Sequence, residues 1–423
     1  MRLVPRVVVL CLLLGGAGAC TADARPSRPE AVDPLGADEV RSEAVRLVAE
    51  REAALVAGDR DTFLATVDDD ALQFVATQAR WFDNLAAMPV GDLRLELAGE
   101  GSAGDEDVED DDDEEGELHL PVDFTMRLDG FEQRSVTQRL LYTFRQVDGE
   151  VVLVDDRDAE GDRRAGWLPD PWDVAHVVVR ESGPILGLFD EETEPYATAV
   201  MSDLRASRRT VLAALPDWSG KVVAYDISDL TALEERTPMD VRETGGVAYP
   251  VPVRPGSRTV AAHRFVVNPA VAHDGLQREF LLRHELTHVA LASRDDSSPR
   301  WLTEGAAEYV SRSHLPAEQQ RLMAAYVLAY LGDPAPVLTD GLGFYADADA
   351  SYALAAVMCT YLVATRGTQV LWDLMDAFTA ARLRAGQAGP LTAPQVDAVL
   401  LRQVGLDQRG LALAAVAWAA AGG

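Results

Sequence analysis

Basic side chains are scarce in this sequence. Lys221 is the only lysine; Lys and Arg together number 38 against 69 Asp and Glu, and the formal net charge is −31 at pH 7. A surface so acidic repels nucleic acid and anionic lipid headgroups, which excludes both as partners. The near-absence of lysine reflects a coding bias toward arginine and carries no functional meaning. Cysteine is rarer still, three in 423 residues, and no repeat of solenoid period occurs. After residue 20 no apolar run is long enough to cross a bilayer; the Ala-rich tail Leu411–Ala421 is too short and reads as a packed helix. What is present is 48% hydrophobic residues, enough for two or three ordinary globular units in a chain of this length.

The N-terminus carries an export pattern. Met1–Arg6 holds two arginines, Val7–Leu14 is unbroken apolar, and small residues follow up to Cys20. Ala17-Gly18-Ala19-Cys20 resembles the lipobox of bacterial lipoproteins, with Ala17 where Leu is usual. That resemblance implies a signal peptide over 1–19, lipidation of Cys20, and a Pro- and Ala-rich tether over 20–37. Ala17 and Ala19 also suit ordinary signal peptidase, which would leave the protein secreted. Cys11 then departs with the leader and Cys20 is committed to the anchor. Cys359, in an apolar helical run, has no partner and reads as a small core residue.

Two folded units follow. In the first, 38–158, Val40–Ala57 has apolar spacing near 3.6 and ends at Gly58-Asp59, and Ala71–Ala87 is also helical. The period then changes to two: Leu118, Leu120, Val122, Phe124, Met126 and Leu128 alternate with polar neighbours or Pro121. Strands are also expected at Leu93–Leu97, Val136–Val147 and Glu150–Asp155, with Asp148-Gly149 as a hairpin turn. Helices followed by an antiparallel sheet resemble the NTF2-like (cystatin-like) α+β fold. Within this unit, 11 of the 13 residues Asp105–Glu117 are acidic. The acidic loop 104–117 lacks the alternating Asp and central Gly of an EF-hand, and reads as a solvated loop.

The second unit, 173–423, is expected to open with strands at Val174–Arg180, Ile185–Phe189 and Val222–Ile227 around a helix Tyr196–Leu215. A strand at Thr259–Val267, taken as a sheet edge, ends at Asn268-Pro269, and the rest reads as helix.

His284-Glu285-Leu286-Thr287-His288 lies inside the helical stretch Gly275–Ala292, with Asp274 placed to cap it and Gln277 three residues on to complete a capping box. Helix positions four apart share a face, so His284 and His288 can address one ion. Glu285 leans over the same point without being forced to ligate, where a general base belongs. A catalytic zinc needs a third protein ligand and an open fourth position. Downstream stands Trp301-Leu302-Thr303-Glu304-Gly305-Ala306-Ala307-Glu308, after a Ser298-Pro299 helix start.

HExxH followed by Trp-x-x-Glu-Gly-x-Ala resembles the gluzincin zinc metallopeptidases, most of all the aminopeptidase-N-like families. The resemblance is specific over His284–Tyr309 and extends as element order over the rest of the second unit. It implies a catalytic domain with a small sheet and a mostly helical C-terminal lobe, Zn2+ as cofactor, and Glu304 as third ligand. Glu308 is then the carboxylate that accepts a ring N–H from a ligating histidine, or else a solvated helix charge. Tyr352, in Ser351-Tyr352-Ala353, takes the place of the family's oxyanion-stabilising tyrosine, with Tyr345 in reserve. The Gly-Ala-Met-Glu-Asn segment that grips a free N-terminus in aminopeptidases is absent, so exopeptidase specificity is not carried over. A metzincin requires Gly and His where Leu291 and Arg294 stand, and is excluded. His119, His176, His263, His273 and His314 have no ligand spacing. The expectation is an extracytoplasmic zinc peptidase acting on peptides or proteins, touching the membrane through its lipid only. Its rival is a surface binding lipoprotein whose zinc site is structural or inactive.

Overall fold

A computed structural model describes residues 35–98, 117–157, 167–237, 240–242, 244–331, 341–386 and 389–421. The export segment, Cys20, most of its tether and most of the acidic loop lie outside the described residues. The fold is mixed α+β, with a curled antiparallel sheet first and a helical C-terminal region last.

The first unit packs helices Ala37–Ala57 and Leu72–Ala87 on an antiparallel sheet of β1 (Val90–Leu97), β2 (Glu117–Leu128), β3 (Val136–Val147) and β4 (Glu150–Asp155), paired in that order. Alternation in β2 sends Leu120, Val122, Phe124, Met126 and Leu128 into the core. Asp148 (φ 50°) and Gly149 (φ 91°) both adopt positive φ, as a two-residue hairpin between β3 and β4 requires.

Five strands form the second sheet: β5 (Val178–Ser182), β6 (Ile185–Phe189), β7 (Val222–Asp226), β8 (Gly246–Pro252) and β9 (Val260–Val267), in the order β5-β6-β7-β9-β8. The central strands β6, β7 and β9 are parallel, and the outer two run antiparallel to their neighbours. Helix Ala197–Ala214 makes the crossover from β6 to β7, and every residue of both strands is buried. One face of the sheet (Ile185, Phe189, Ala224, Phe265, Val267) packs under the helices. Leu186, Leu188, Tyr225 and Val266 on the other face share a core with Trp172 and the first unit.

The sequence expectation differs here in three respects. Residues 171–174 form a helical turn capped by Asp170, and the strand starts only at Val178. Strand β8 was not expected, because its Gly-Gly start and two prolines break the strand pattern. Strand β9 is therefore interior, and β8 is the sheet edge.

Helices Gly275–Leu291, Arg300–Arg312, Ala317–Leu331, Ala348–Arg366, Gln369–Ala385, Ala393–Val404 and Gln408–Ala420 build the C-terminal lobe. Contrary to the sequence reading, the 24-residue stretch Gly343–Arg366 is long and apolar enough, by length and composition, to cross a bilayer, with a mean hydropathy of 1.3 over an 18-residue window. Its apolar face is committed inside the fold, with Leu354, Val357, Met358, Cys359 and Leu362 buried.

Candidate metal centre

Asp274 starts the first site helix, accepting from the backbone N–H groups of Leu276 and Gln277. The reciprocal half of the expected capping box is replaced: the Asp274 N–H donates to the Val271 carbonyl. The helix stops at Ala292, where a non-glycine residue sits at φ 49° and turns the chain back. Pro299 then caps the helix Arg300–Arg312, which crosses beside the first. Gly305 sets how closely this second helix approaches Ala348–Arg366. A Cβ there would lie 2.4 Å from the Ala355 carbonyl oxygen and 2.6 Å from Cys359 Sγ. Cys359 is buried and free, as expected.

The two helices bring three atoms together. His284 Nε2 and His288 Nε2 are 3.2 Å apart. Glu304 Oε2 lies 3.2 Å from the first and 3.3 Å from the second. Tetrahedral zinc with bonds of ~2.05 Å separates its ligand atoms by about 3.3 Å, so the triangle has the edges a zinc ion demands. Glu304 Oε2 is buried without a hydrogen bond, an orphan acceptor that a cation would satisfy. Among the described residues, the only other metal-type cluster is Asp68, Asp69 and Asp70, largely exposed carboxylates next to one another in sequence.

Glu308, one turn after Glu304, takes the positioning place. Its Oε1 is 3.1 Å from His284 Nδ1, and its Oε2 meets Arg312. With the Nδ1 proton held by Glu308, Nε2 is the atom of His284 left to face a cation. Burial would raise the Glu308 carboxyl, but the His284 hydrogen bond and the Arg312 charge outweigh it and hold it down to about 2. Burial likewise disfavours a charged His284, yet the Glu304 and Glu308 carboxylates beside its two nitrogens carry its imidazole up to about 9. The mutual hold of Glu304 and the histidines keeps that carboxyl well below its usual range despite burial.

Glu285 is buried beside the triangle. Burial pushes its carboxyl up, against the pull of the two histidines and a backbone hydrogen bond from Ala248. Ala248 belongs to β8, so the sheet edge touches the candidate base directly. Gly246, also on β8, allows this approach: a Cβ there would lie 2.9 Å from the Val266 carbonyl and 3.4 Å from Glu285 Cγ. Tyr345 donates to Glu304 Oε1 at 3.3 Å, and Arg300 Nη1 lies 3.7 Å from the same oxygen. The Tyr352 ring stands 6.0 Å from the His284 ring, and burial drives its hydroxyl pKa up, so the phenol stays protonated at neutral pH.

These groups line one cleft of about 690 Å³, with β8 residues 246–250 and Arg236 on one wall and Phe280, Leu281 and the site helices on the other. All residues expected at the site are here: His284, His288, Glu304, Glu285, Glu308, Tyr352 and the reserve Tyr345. His119, His273 and His314 bond instead to Thr143, Asp226 and Arg283. Sequence reasoning missed Arg312, although its i,i+4 spacing from Glu308 was a signal, and missed Arg300 and the whole β8 wall. No protein-family model matches this chain, and no curated protein matches it.

Proposed function

We propose that this chain is a zinc-dependent peptidase of the gluzincin type, exported and tethered to a bacterial cell membrane by a lipid on Cys20, with an NTF2-like unit ahead of the catalytic one. The reading rests on one observation above all. Two imidazole nitrogens and an orphaned carboxylate oxygen form a triangle with edges of 3.2–3.3 Å beside a buried, raised Glu285.

A zinc ion bound there supplies Lewis acidity, polarising a carbonyl and lowering the pKa of water. The remaining work belongs to the chain. The free edge of β8 offers main-chain groups to an extended peptide laid along the cleft. Glu285 accepts the proton of the attacking water and passes it to the departing amine nitrogen, a task that suits a carboxyl raised toward neutrality. Glu308 holds the His284 ring in the tautomer that ligates. Tyr352, kept as a phenol by burial, donates to the developing oxyanion, while Tyr345 orients Glu304. The β8 wall, Gly246–Pro252, carries no carboxylate to hold a free amino terminus, so no exopeptidase role is assigned.

Glu285→Gln tests the reading. Zinc content should stay near one ion per chain while cleavage of a broad peptide library, sensitive to chelator in the parent, is lost. Full cleavage by the variant would remove Glu285 from the chemistry.

A further inference from the structure

We infer that the N-terminal unit holds the substrate wall of the cleft in place, with Glu132 as the positioning residue; the kinetic part of this inference rests on the peptidase reading above. Among the described residues, strand β8 has a neighbouring strand on one side only, β9, and its other edge faces the cleft. An edge strand so exposed needs support from elsewhere to keep its register and height.

That support comes from residues 132–137 of the first unit, which reach both strands of the β8–β9 hairpin. Glu132 Oε1 accepts from Arg264 on β9, at 2.7 Å from Nε and 2.6 Å from Nη2, and both side chains are buried. The other Glu132 oxygen accepts the Leu128 N–H at the end of β2, which ties the carboxylate to the first sheet. Arg134 donates to the Val260 carbonyl at 2.8 Å, and the Thr137 N–H donates to the Val253 carbonyl at 2.9 Å. Val136 packs with Val251 of β8 and Ala261 of β9 in a small core of their own.

The charge network then runs on to the cleft surface. Arg264 also donates to Asp170 at 3.1 Å, and Asp170 accepts from Arg236 at 3.3 Å. The Arg236 guanidinium lies 4.4 Å from the ring centroid of Tyr249, the β8 residue opposite Arg264, and both Arg236 and Tyr249 line the cleft. A buried charged network in which every member depends on the next has one low-energy arrangement, and removing one charge strands the others. Displacement of Glu132 is thereby transmitted to the wall on which a peptide would lie. Glu132 should act chiefly on substrate binding and leave the metal alone, with a smaller effect on Glu285, which meets the same wall through the Ala248 N–H.

The test uses the full chain and the variants Glu132→Gln and Arg134→Ala, with Asp123→Asn, which breaks the Asp123–Arg139 pair elsewhere in the first unit, as control. Zinc content, kcat and KM for a peptide substrate, and amide exchange over 246–252 are measured. Glu132→Gln should raise KM roughly two- to thirtyfold, the range that coupling through packed residues supports, with zinc near the parent, kcat changed by less than KM, and faster exchange in β8. Arg134→Ala should move KM and exchange in the same direction by less, and carries the test if Glu132→Gln does not fold. Asp123→Asn should change neither quantity. Parent-like KM and parent-like β8 exchange in a folded Glu132→Gln, or in Arg134→Ala where that variant stands in, would overturn the inference. So would equal effects from the control. If the parent cleaves no peptide, the peptidase reading fails, and the β8 exchange decides the positioning role by itself.

Discussion

Replacing Gly305 by alanine sets two opposed effects against each other. In an exposed helix interior, glycine to alanine is stabilising by about 1 kcal/mol, because alanine loses less backbone entropy. At Gly305 the new methyl would sit 2.4 Å from the Ala355 carbonyl oxygen and 2.8 Å from its carbon, both backbone atoms of the neighbouring helix. Ordinary contact needs about 1 Å more, so the helix Arg300–Arg312 must move away from Ala348–Arg366 by about that distance. Overpacking of this kind costs typically ~1–3 kcal/mol, which exceeds the propensity gain. The displacement also falls on Glu304, the adjacent residue, whose Oε2 stands 3.2–3.3 Å from both histidines. Zinc sites tolerate about 0.2 Å in ligand distance, so a shift of ~1 Å should cost most of the affinity. The expected result is a zinc-free Gly305→Ala protein that is slightly less stable than the zinc-free parent, with a much smaller rise in Tm when zinc is added. Zinc titration followed by thermal unfolding with and without the metal gives both numbers. A variant with parent-like zinc affinity and raised stability would refute the packing argument, because propensity alone would then account for the residue.

Two further outcomes follow from the same geometry. Glu308→Gln removes the charge that accepts the His284 Nδ1 proton, and should weaken zinc binding about 10- to 100-fold in competition with a chelator of known affinity. Asp226 governs a pH dependence away from the metal. Burial first, and then the nearby Asp190 charge, push its carboxyl from 3.8 to about 7, against Arg278. Between those values the folded chain holds a proton that the unfolded chain has released, so stability falls as pH rises through about 4 to 7 and is level above it. The ceiling on that loss is about 4 kcal/mol. His273, bonded to Asp226 and depressed by burial and Arg278, contributes a smaller rise over the upper part of the window. Asp226→Asn should flatten the slope in denaturant unfolding at a series of pH values; an unchanged slope would assign it to other groups.

Much of the site was legible in the chain because its geometry is local. Two histidines four residues apart meet on any helix, and the Asp274 cap, the alternation in β2 and the Asp148-Gly149 hairpin likewise depend only on the backbone period. Glu304 and Glu308 were named through their resemblance to a known motif, since nothing in periodicity tells one helix charge from another. The approach set by Gly305 brings Glu304 to the histidines, and that distance exists only between packed helices.

Strand order was the part that the sequence could not supply. Thr259–Val267 reads as a strand wherever it lies, and its interior position depends on β8, a segment whose glycines and prolines hide its extended form. Once β8 becomes the edge, the cleft gains a wall of main-chain groups, Glu285 gains the Ala248 N–H, and Arg264 finds Glu132 across 132 residues of chain. Local pattern thus determined most helices and strands, β8 excepted, and which residue types are competent for metal chemistry. Tertiary packing alone decided which of them meet, because contacts between distant segments are selected by the joint fit of whole surfaces, which no short window of sequence contains.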